Sequence, residues 1–322
     1  MIPFFLGAAG GAPVASQVFA TTLYTGNGSS QTIANGIDTD LAWIKARSEA
    51  WDHALCDQLR GINAKLRSNS TINELTGSGS VTAFGTTGFT VGSQDDVNRN
   101  LVTYVAWSFA RAARFFDVVT YTGTGANRTV SHSLGTTPGM IIVKRRDTTS
   151  AWPVYHRSNT GAPETDYLLL NAAGATADDA TYWNDTTPTA SVFTVGTNAD
   201  VNASGGTYVA YLFAHDTASD GIVQCGSYTG NQSPSGPTIT LGWQPQFLIF
   251  KNASATGDWI MMDTARGIPA GSGDAFLRAN TSDAEVTGQT YVDVSGTGFS
   301  ITAPATSING SGNTIVYLAI RA

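Results

Sequence analysis

The sequence is short of charge. Asp, Glu, Lys and Arg make up only 13% of its 322 residues, against a usual share of about 25%. The formal net charge is −7, whereas a surface that binds nucleic acid needs clustered Lys and Arg. The densest basic run, Lys144-Arg145-Arg146, follows an apolar stretch and is expected to end a strand. We therefore expect no nucleic-acid partner.

Long apolar runs and cysteines are also scarce. No run approaches the roughly 18 residues of a membrane span, so no membrane partner is expected. The N-terminal stretch from Met1 to Gly7 is apolar but lacks the positively charged region of a secretory signal. A secretory signal therefore stays open only as the less favoured alternative. Cys56 and Cys225 sit at non-equivalent places in the repeat described below, so unpaired thiols in a reducing cytosol are expected, with a disulfide as the alternative.

Motifs for catalysis and for metal binding are missing. The four histidines have none of the spacings of a metal site. The 24 carboxylates include no pair that recurs with its flanking residues, and neither a nucleophile elbow nor a phosphate-binding loop occurs. We predict no catalytic residues, no cofactor and no bound metal. A polysaccharide depolymerase stays open as an alternative, because sequence cannot show the separation of two carboxyl groups.

What the sequence does contain is an internal repeat of about 100 residues. Several anchors recur three times in the same order: a Tyr-Thr-Gly turn, an apolar strand ending in Lys, a Val-Asn or Ile-Asn pair and a closing apolar strand. The turns begin at Tyr24, Tyr121 and Tyr228; the apolar strands end at Lys45, Lys144 and Lys251; the pairs end at Asn98, Asn202 and Asn309.

These anchors divide the chain into a lead-in, residues 1–21, and three copies, residues 22–114, 115–221 and 222–322. No linker of any length separates the copies, so we expect them to pack as neighbours. A rigid row of copies and a pseudo-threefold cluster are both compatible with this spacing.

Each copy is predicted to be a β-sandwich, jelly-roll-like in type. The second copy contains about seven short apolar segments with turn signals every 8–15 residues or so, which is typical of such folds. Thirty-five glycines and many threonines suit short strands and tight turns. One helical turn is expected, over residues 54–59 before Arg60-Gly61. Each copy carries enough large apolar residues to fold alone.

A D-x-x-R-G pattern occurs in the first and third copies, at Asp57 to Gly61 and at Asp263 to Gly267. An Asp–Arg pair that braces a turn is the favoured interpretation, and contact with a sugar or another ligand is the alternative. The second copy has His156-Arg157-Ser158-Asn159 at this place.

The repeat resembles a domain of unknown function found in phage tail and fibre-like proteins, notably those of marine phages. The resemblance lies in the Tyr121-Thr122-Gly123-Thr124-Gly125 turn, the Pro138-Gly139-Met140 strand start, the stretch from Trp152 to His156 and the strand from Gly206 to Ala210. It implies a virion structural protein with no catalytic residue. The expected role is a tail fibre, adaptor or other tail-associated protein, with a capsid decoration protein and a host-glycan-binding module as alternatives.

This resemblance sets the expected partners and location. They are other virion structural proteins, a homotrimer of the chain and a host surface glycan, in a particle assembled in the bacterial cytoplasm. The apolar lead-in residues Ile2, Phe4, Phe5 and Leu6 are predicted to anchor the chain in a neighbouring protein. Three tryptophans in loop-like stretches, Trp51, Trp183 and Trp243, are candidates for stacking on sugar rings, with packing as the alternative.

Overall fold

The computed structural model describes residues 11–268 and 273–322 and is built almost entirely of antiparallel strands. Short apolar and threonine-rich segments become strands because branched and aromatic side chains fit a pleated surface. The prediction of an all-β sandwich fold is confirmed. The strands fall into three consecutive groups along the chain, which we call segments 1, 2 and 3.

Segment 1, residues 19–109, forms a four-stranded sheet in the order β1-β7-β3-β4 and a three-stranded sheet in the order β2-β6-β5. Its strands are β1 (Phe19–Thr25), β2 (Gln31–Ala34), β3 (Leu41–Ala46), β4 (Ala54–Asp57), β5 (Val81–Gly85), β6 (Gly88–Val91) and β7 (Thr103–Phe109).

Segment 2, residues 116–214, forms a six-stranded sheet in the order β8-β15-β10-β11-β12-β13 and a pair, β9-β14. Its strands are β8 (Phe116–Thr122), β9 (Arg128–Ser131), β10 (Pro138–Arg145), β11 (Pro153–His156), β12 (Asp166–Leu169), β13 (Ala177–Asp178), β14 (Val192–Val195) and β15 (Thr207–Ala214).

Segment 3, residues 223–321, forms a six-stranded sheet in the order β16-β24-β18-β19-β20-β21 and a three-stranded sheet, β17-β23-β22. Its strands are β16 (Val223–Thr229), β17 (Thr238–Thr240), β18 (Pro245–Asn252), β19 (Ile260–Asp263), β20 (Asp274–Arg278), β21 (Val286–Gln289), β22 (Val292–Ser295), β23 (Gly298–Ile301) and β24 (Thr314–Arg321).

In each segment the first strand pairs with the last, and the last pairs with the apolar strand that ends in lysine. This equivalence follows the sequence anchors. The domain limits predicted above remain a prediction.

Helices are short: α1 (Ala15–Val18), α2 (Asp95–Asn98), α3 (Ala180–Trp183), α4 (Ala199–Asn202), α5 (Thr306–Asn309) and two 3₁₀ turns, Pro163–Thr165 and Thr264–Arg266. The helical turn predicted over residues 54–59 is wrong. Ala54–Asp57 is strand β4, whose four buried residues pair with β3. Pairing within the sheet overrides the local helical preference.

The central core belongs to all three segments. One continuous cluster of buried residues contains Trp43 and Trp107 of segment 1, Tyr211 of segment 2, and Phe247 and Leu318 of segment 3. Segments 1 and 3 have further separate clusters between their own two sheets. Part of the apolar surface of each segment is thus packed against the other two. That each copy could fold alone stays a prediction.

Candidate functional site

The recurring Tyr-Thr-Gly turn is held by the recurring asparagine. In segment 2, the hydroxyl of Tyr121 donates to the carbonyl of Val201 at 2.7 Å, and Asn202 Oδ1 accepts from the Thr124 amide at 2.8 Å. A Cβ on Gly123 would lie 2.2 Å from the carbonyl oxygen of Ala203, so only glycine fits. The same bonds occur in segments 1 and 3. These anchors therefore record a structural turn.

Equivalent backbone hydrogen bonds join each segment to the next. The amide of Glu74 in segment 1 donates to the carbonyl of Arg146 in segment 2, at 2.9 Å. The amide of Thr176 in segment 2 donates to the carbonyl of Ala253 in segment 3, also at 2.9 Å. The third bond closes the circle, from the amide of Glu285 in segment 3 to the carbonyl of Arg47 in segment 1, at 2.8 Å. The three segments thus form a closed ring with approximate threefold symmetry.

His53, Trp152 and Trp259 occupy equivalent positions in the three segments, and their side chains form hydrogen bonds across the same three junctions. His53 Nε2 lies 2.9 Å from the carbonyl oxygen of Arg278, and the indoles of Trp152 and Trp259 donate to the carbonyls of Ser70 and Leu169. Each bond reaches from one segment into the one before it around the ring. A row of copies would place no contact between segments 1 and 3, so the rod-like arrangement is wrong for the described residues.

A buried charged network fills the junction of segments 1 and 2. Asp57 and Arg60 form an ion pair in which both side chains are fully buried. Asp57 also accepts from the hydroxyl of Tyr211 at 2.8 Å, and Arg60 pairs with Glu74 at 2.8 Å. Glu74 in turn pairs with Arg146 across the junction, at 2.9 Å. These hydrogen bonds to Arg60 and Arg146 hold the pKa of Glu74 below its usual value against the effect of burial.

The junction of segments 3 and 1 repeats this network. Asp263 and Arg266 are a fully buried pair, and Arg266 also binds Glu285. Glu285 pairs with Arg47 across the junction at 2.8 Å. The indole of Trp107 replaces the tyrosine hydroxyl and donates to Asp263 at 2.9 Å. The prediction that the D-x-x-R-G pattern braces a turn is confirmed. The two aspartates also accept hydrogen bonds from Tyr211 and Trp107 of neighbouring segments.

The junction of segments 2 and 3 has no such charged network in the described part of the chain. His156 occupies the aspartate position, and its Nε2 lies 3.1 Å from the carbonyl oxygen of Tyr317. Thr176 replaces the glutamate and donates to Asn159 at 3.1 Å, while Ala253 replaces the arginine. Burial lowers the pKa of His156 to about 4, so the ring is neutral at neutral pH.

Three equivalent lysines lie beside the junctions. Lys45, Lys144 and Lys251 are all fully buried and donate to backbone carbonyls, and two of them reach the neighbouring segment at Thr71 and Ala173. Burial lowers the pKa of each to about 8. Their role is to satisfy carbonyl groups at the ends of buried strands.

The charged side chains of the junctions are engaged with one another. Within residues 11–268 and 273–322, no cluster of His, Cys, Asp or Glu could hold a metal ion. An open groove of about 370 Å³ is lined by Leu59 of segment 1, by Arg111 between the segments, and by Asp117 and His132 of segment 2. The carboxylate of Asp117 accepts from the amides of Val118 and Ser133, which is a structural arrangement.

The three candidate tryptophans, Trp51, Trp183 and Trp243, lie in three different segments. Ile2, Phe4, Phe5 and Leu6 lie outside the described residues. Trp183 and Trp243 are only 2% and 4% exposed, so the expectation of exposed rings is wrong for both. Trp183 donates to the carbonyl of Asp166 and packs on Tyr155. Trp51 is half-buried, with the guanidinium of Arg99 5.8 Å from its ring centre.

Both thiols are free and buried, Cys56 in segment 1 and Cys225 in segment 3. Burial raises the pKa of Cys56 to about 12 and that of Cys225 still further, which leaves both thiols protonated and unreactive. The disulfide alternative is not what the structure has.

No helix of the described residues is long and apolar enough to cross a membrane. In comparisons with known proteins, the model of a family described as "Domain of unknown function (DUF7483)" matches residues 14–321. No curated protein matches the chain.

Proposed function

The chain belongs to the DUF7483 family, and we propose that it is a structural component of a bacteriophage particle that acts by shape and assembly, without catalysis. The observation that carries the proposal is the closed ring. Its three segments share one core and are joined at every junction by buried side chains. Such a body resists deformation, because each junction is supported by the other two.

The proposed position is tail-associated, as an adaptor or tip, and the ring favours this over the shaft of a fibre. A shaft needs an elongated repeat, whereas segments 1 and 3 are in direct contact through Arg47 and Glu285. A homotrimer of the whole chain remains a proposal. Within one chain, three segments already supply the approximate threefold arrangement that a trimer would otherwise build.

A capsid decoration protein is the second candidate, and the same compact ring favours it. A body of approximate threefold symmetry fits the threefold positions of an icosahedral shell. Host-glycan binding receives less support, because two of the three candidate tryptophans are buried.

Mass spectrometry of purified particles tests the proposal. We expect the chain to remain in particles through density-gradient purification, in a fixed ratio to the major capsid protein. Up to a few dozen copies per particle would indicate the tail, and hundreds would indicate the head. Absence of the chain from purified infectious particles would overturn the proposal.

A further inference from the structure

The three segments differ in one respect that their shared fold does not require: segment 1 exposes large apolar side chains. Among the described residues, the large apolar side chains that stand out into solvent all belong to residues 14–101: Val14, Leu23, Leu59, Ile62 and Leu101. The equivalent turns and strands of segments 2 and 3 carry smaller or polar residues at the two positions considered next.

Leu101 is the most exposed of these side chains, at 80%. It lies in the turn before β7, and its amide donates to the carbonyl of Gly26 at 2.9 Å. The same bond is made by Gly205 to Gly123 in segment 2, at 3.0 Å, and by Gly312 to Gly230 in segment 3, at 2.9 Å. These hydrogen bonds establish that the three turn positions are equivalent.

All three positions have left-handed backbone, with φ of 67° at Leu101, 74° at Gly205 and 72° at Gly312. Glycine adopts this conformation freely, whereas a bulky residue with positive φ is a strained outlier. Leu101 therefore combines backbone strain with an apolar side chain left in water. Leu101 is 80% exposed, so packing against the described residues recovers neither cost. Backbone strain of this kind clusters at functional sites.

Two residues close to this turn along the chain, Leu23 three residues before Gly26 and Arg99 two residues before Leu101, follow the same asymmetry. Leu23, 40% exposed, pairs with Val105 on the adjacent strand, and the equivalent residues are Thr120 and Ser227. Arg99 is exposed, stacks over Trp51 and forms no ion pair with the described residues. Ala203 and Gly310 stand at the position of Arg99 in the other segments.

We propose that Leu101, Leu23 and Arg99 form a docking patch for another protein of the particle, one with an apolar pocket for Leu101 and a carboxylate at its rim for Arg99. Arg99 is exposed and forms no ion pair within residues 11–268 and 273–322, so a carboxylate on the partner would complement its charge. Arg99 lies over the ring of Trp51, and Trp and Arg are residue types enriched at the centres of protein interfaces. That the partner is another protein of the particle rests on the proposed function. The patch itself does not.

A glycan fits the patch less well. Sugar rings stack on open aromatic faces, whereas Arg99 lies over the ring of Trp51 and the apolar contact is a leucine. An anionic membrane surface is also disfavoured, because one cation on an acidic chain gives little attraction.

Site-specific photocross-linking tests the patch directly. Benzoylphenylalanine is placed at position 101 of the full chain during particle production, with positions 205 and 312 as matched controls on the equivalent turns. We expect one discrete product with a second polypeptide from position 101 only, joined at a peptide that contains Asp or Glu. The Arg99→Glu substitution should lower its yield at least tenfold.

Leu101→Gly gives a second readout that does not depend on the probe. This variant restores the residue found at the other two turns, so it should fold at least as well as the natural chain. We expect its incorporation into particles to fall at least tenfold. Two results on the variants would overturn the inference: incorporation of a folded Leu101→Gly chain at the natural level, or equal cross-linking from all three turns. It would also be overturned if position 101 cross-linked only to a second copy of this chain, or if the chain bound neutral phosphatidylcholine vesicles in place of a protein. If the natural chain is absent from particles but position 101 still cross-links in the producing cells, the proposed function fails while the patch survives.

Discussion

The indole nitrogen of Trp107 donates a hydrogen bond of 2.9 Å to the carboxylate of Asp263, which belongs to the other end of the chain. The guanidinium of Arg266 binds the same carboxylate oxygen at 2.6 Å and also lies 5.1 Å from the indole ring centre. Asp263 is therefore one of the groups through which segment 3 closes on segment 1. Removal of one partner from such a buried pair leaves the other charge without compensation.

Asp263→Ala is expected to lower the free energy of unfolding by about 3–5 kcal/mol, because Arg266 remains buried without its main partner. Chemical denaturation at neutral pH measures this change. Asp283→Ala is the matched control, since that carboxylate is 60% exposed and its removal should change stability by only about 0.5 kcal/mol. Equal effects of the two substitutions would contradict the role given to Asp263.

Acid should destabilise the ring through its buried histidines. Burial lowers the pKa of His156 to about 4 and that of His53 to about 3, while the unfolded chain has the usual value of about 6.5. Between these values the unfolded state binds more protons, so the free energy of unfolding falls as the pH drops from about 6.5 towards 4. For His156 alone the loss is on the order of 3 kcal/mol.

Denaturation midpoints measured at several pH values check this dependence. His156→Gln keeps a side-chain donor for the carbonyl of Tyr317 but does not titrate, so its stability should fall less steeply over the same range. A natural chain whose stability is flat or rises on acidification, or a variant with an unchanged slope, would show that His156 is not the buried neutral group described here.

The turn asparagines should be as important as the ion pairs. Asn202 is fully buried, and its amide nitrogen donates to the carbonyls of Ala126 and Gly196 at 2.7 and 2.6 Å. Asn202→Ala leaves these carbonyls and the Thr124 amide without partners, at an expected cost of about 3 kcal/mol. Urea denaturation measures it, with the exposed Asn100→Ala as control. A loss within the error of that control would remove the structural explanation of the Val-Asn anchor.

Local patterns predicted the local structure well. The three Tyr-Thr-Gly turns and the apolar strands ending in lysine identified equivalent positions. Hydrogen bonds within one segment fix the residue types of the turns. The bracing pair Asp57–Arg60 was also predictable, since its members are three residues apart. The helix expected at residues 54–59 was wrong because residues 54–57 pair with strand β3. A sequence pattern read over these few residues alone does not include β3.

The junctions could not be predicted in the same way. The groups that meet Asp57, His156 and Asp263 are a tyrosine hydroxyl, a backbone carbonyl and an indole. These three groups share no residue type, so the sequence does not indicate that they make equivalent contacts at the three junctions. The burial of Trp183 likewise depends on Tyr155 and on the carbonyl of Asp166, which the loop-like sequence around it does not indicate.

Calorimetry of the full chain tests most directly whether the three segments are one body with a shared core. We predict a single thermal transition whose calorimetric enthalpy equals its van't Hoff enthalpy, as for one cooperative unit. Several resolved transitions, or a calorimetric enthalpy close to three times the van't Hoff value, would mean that the segments unfold independently and would contradict the closed ring.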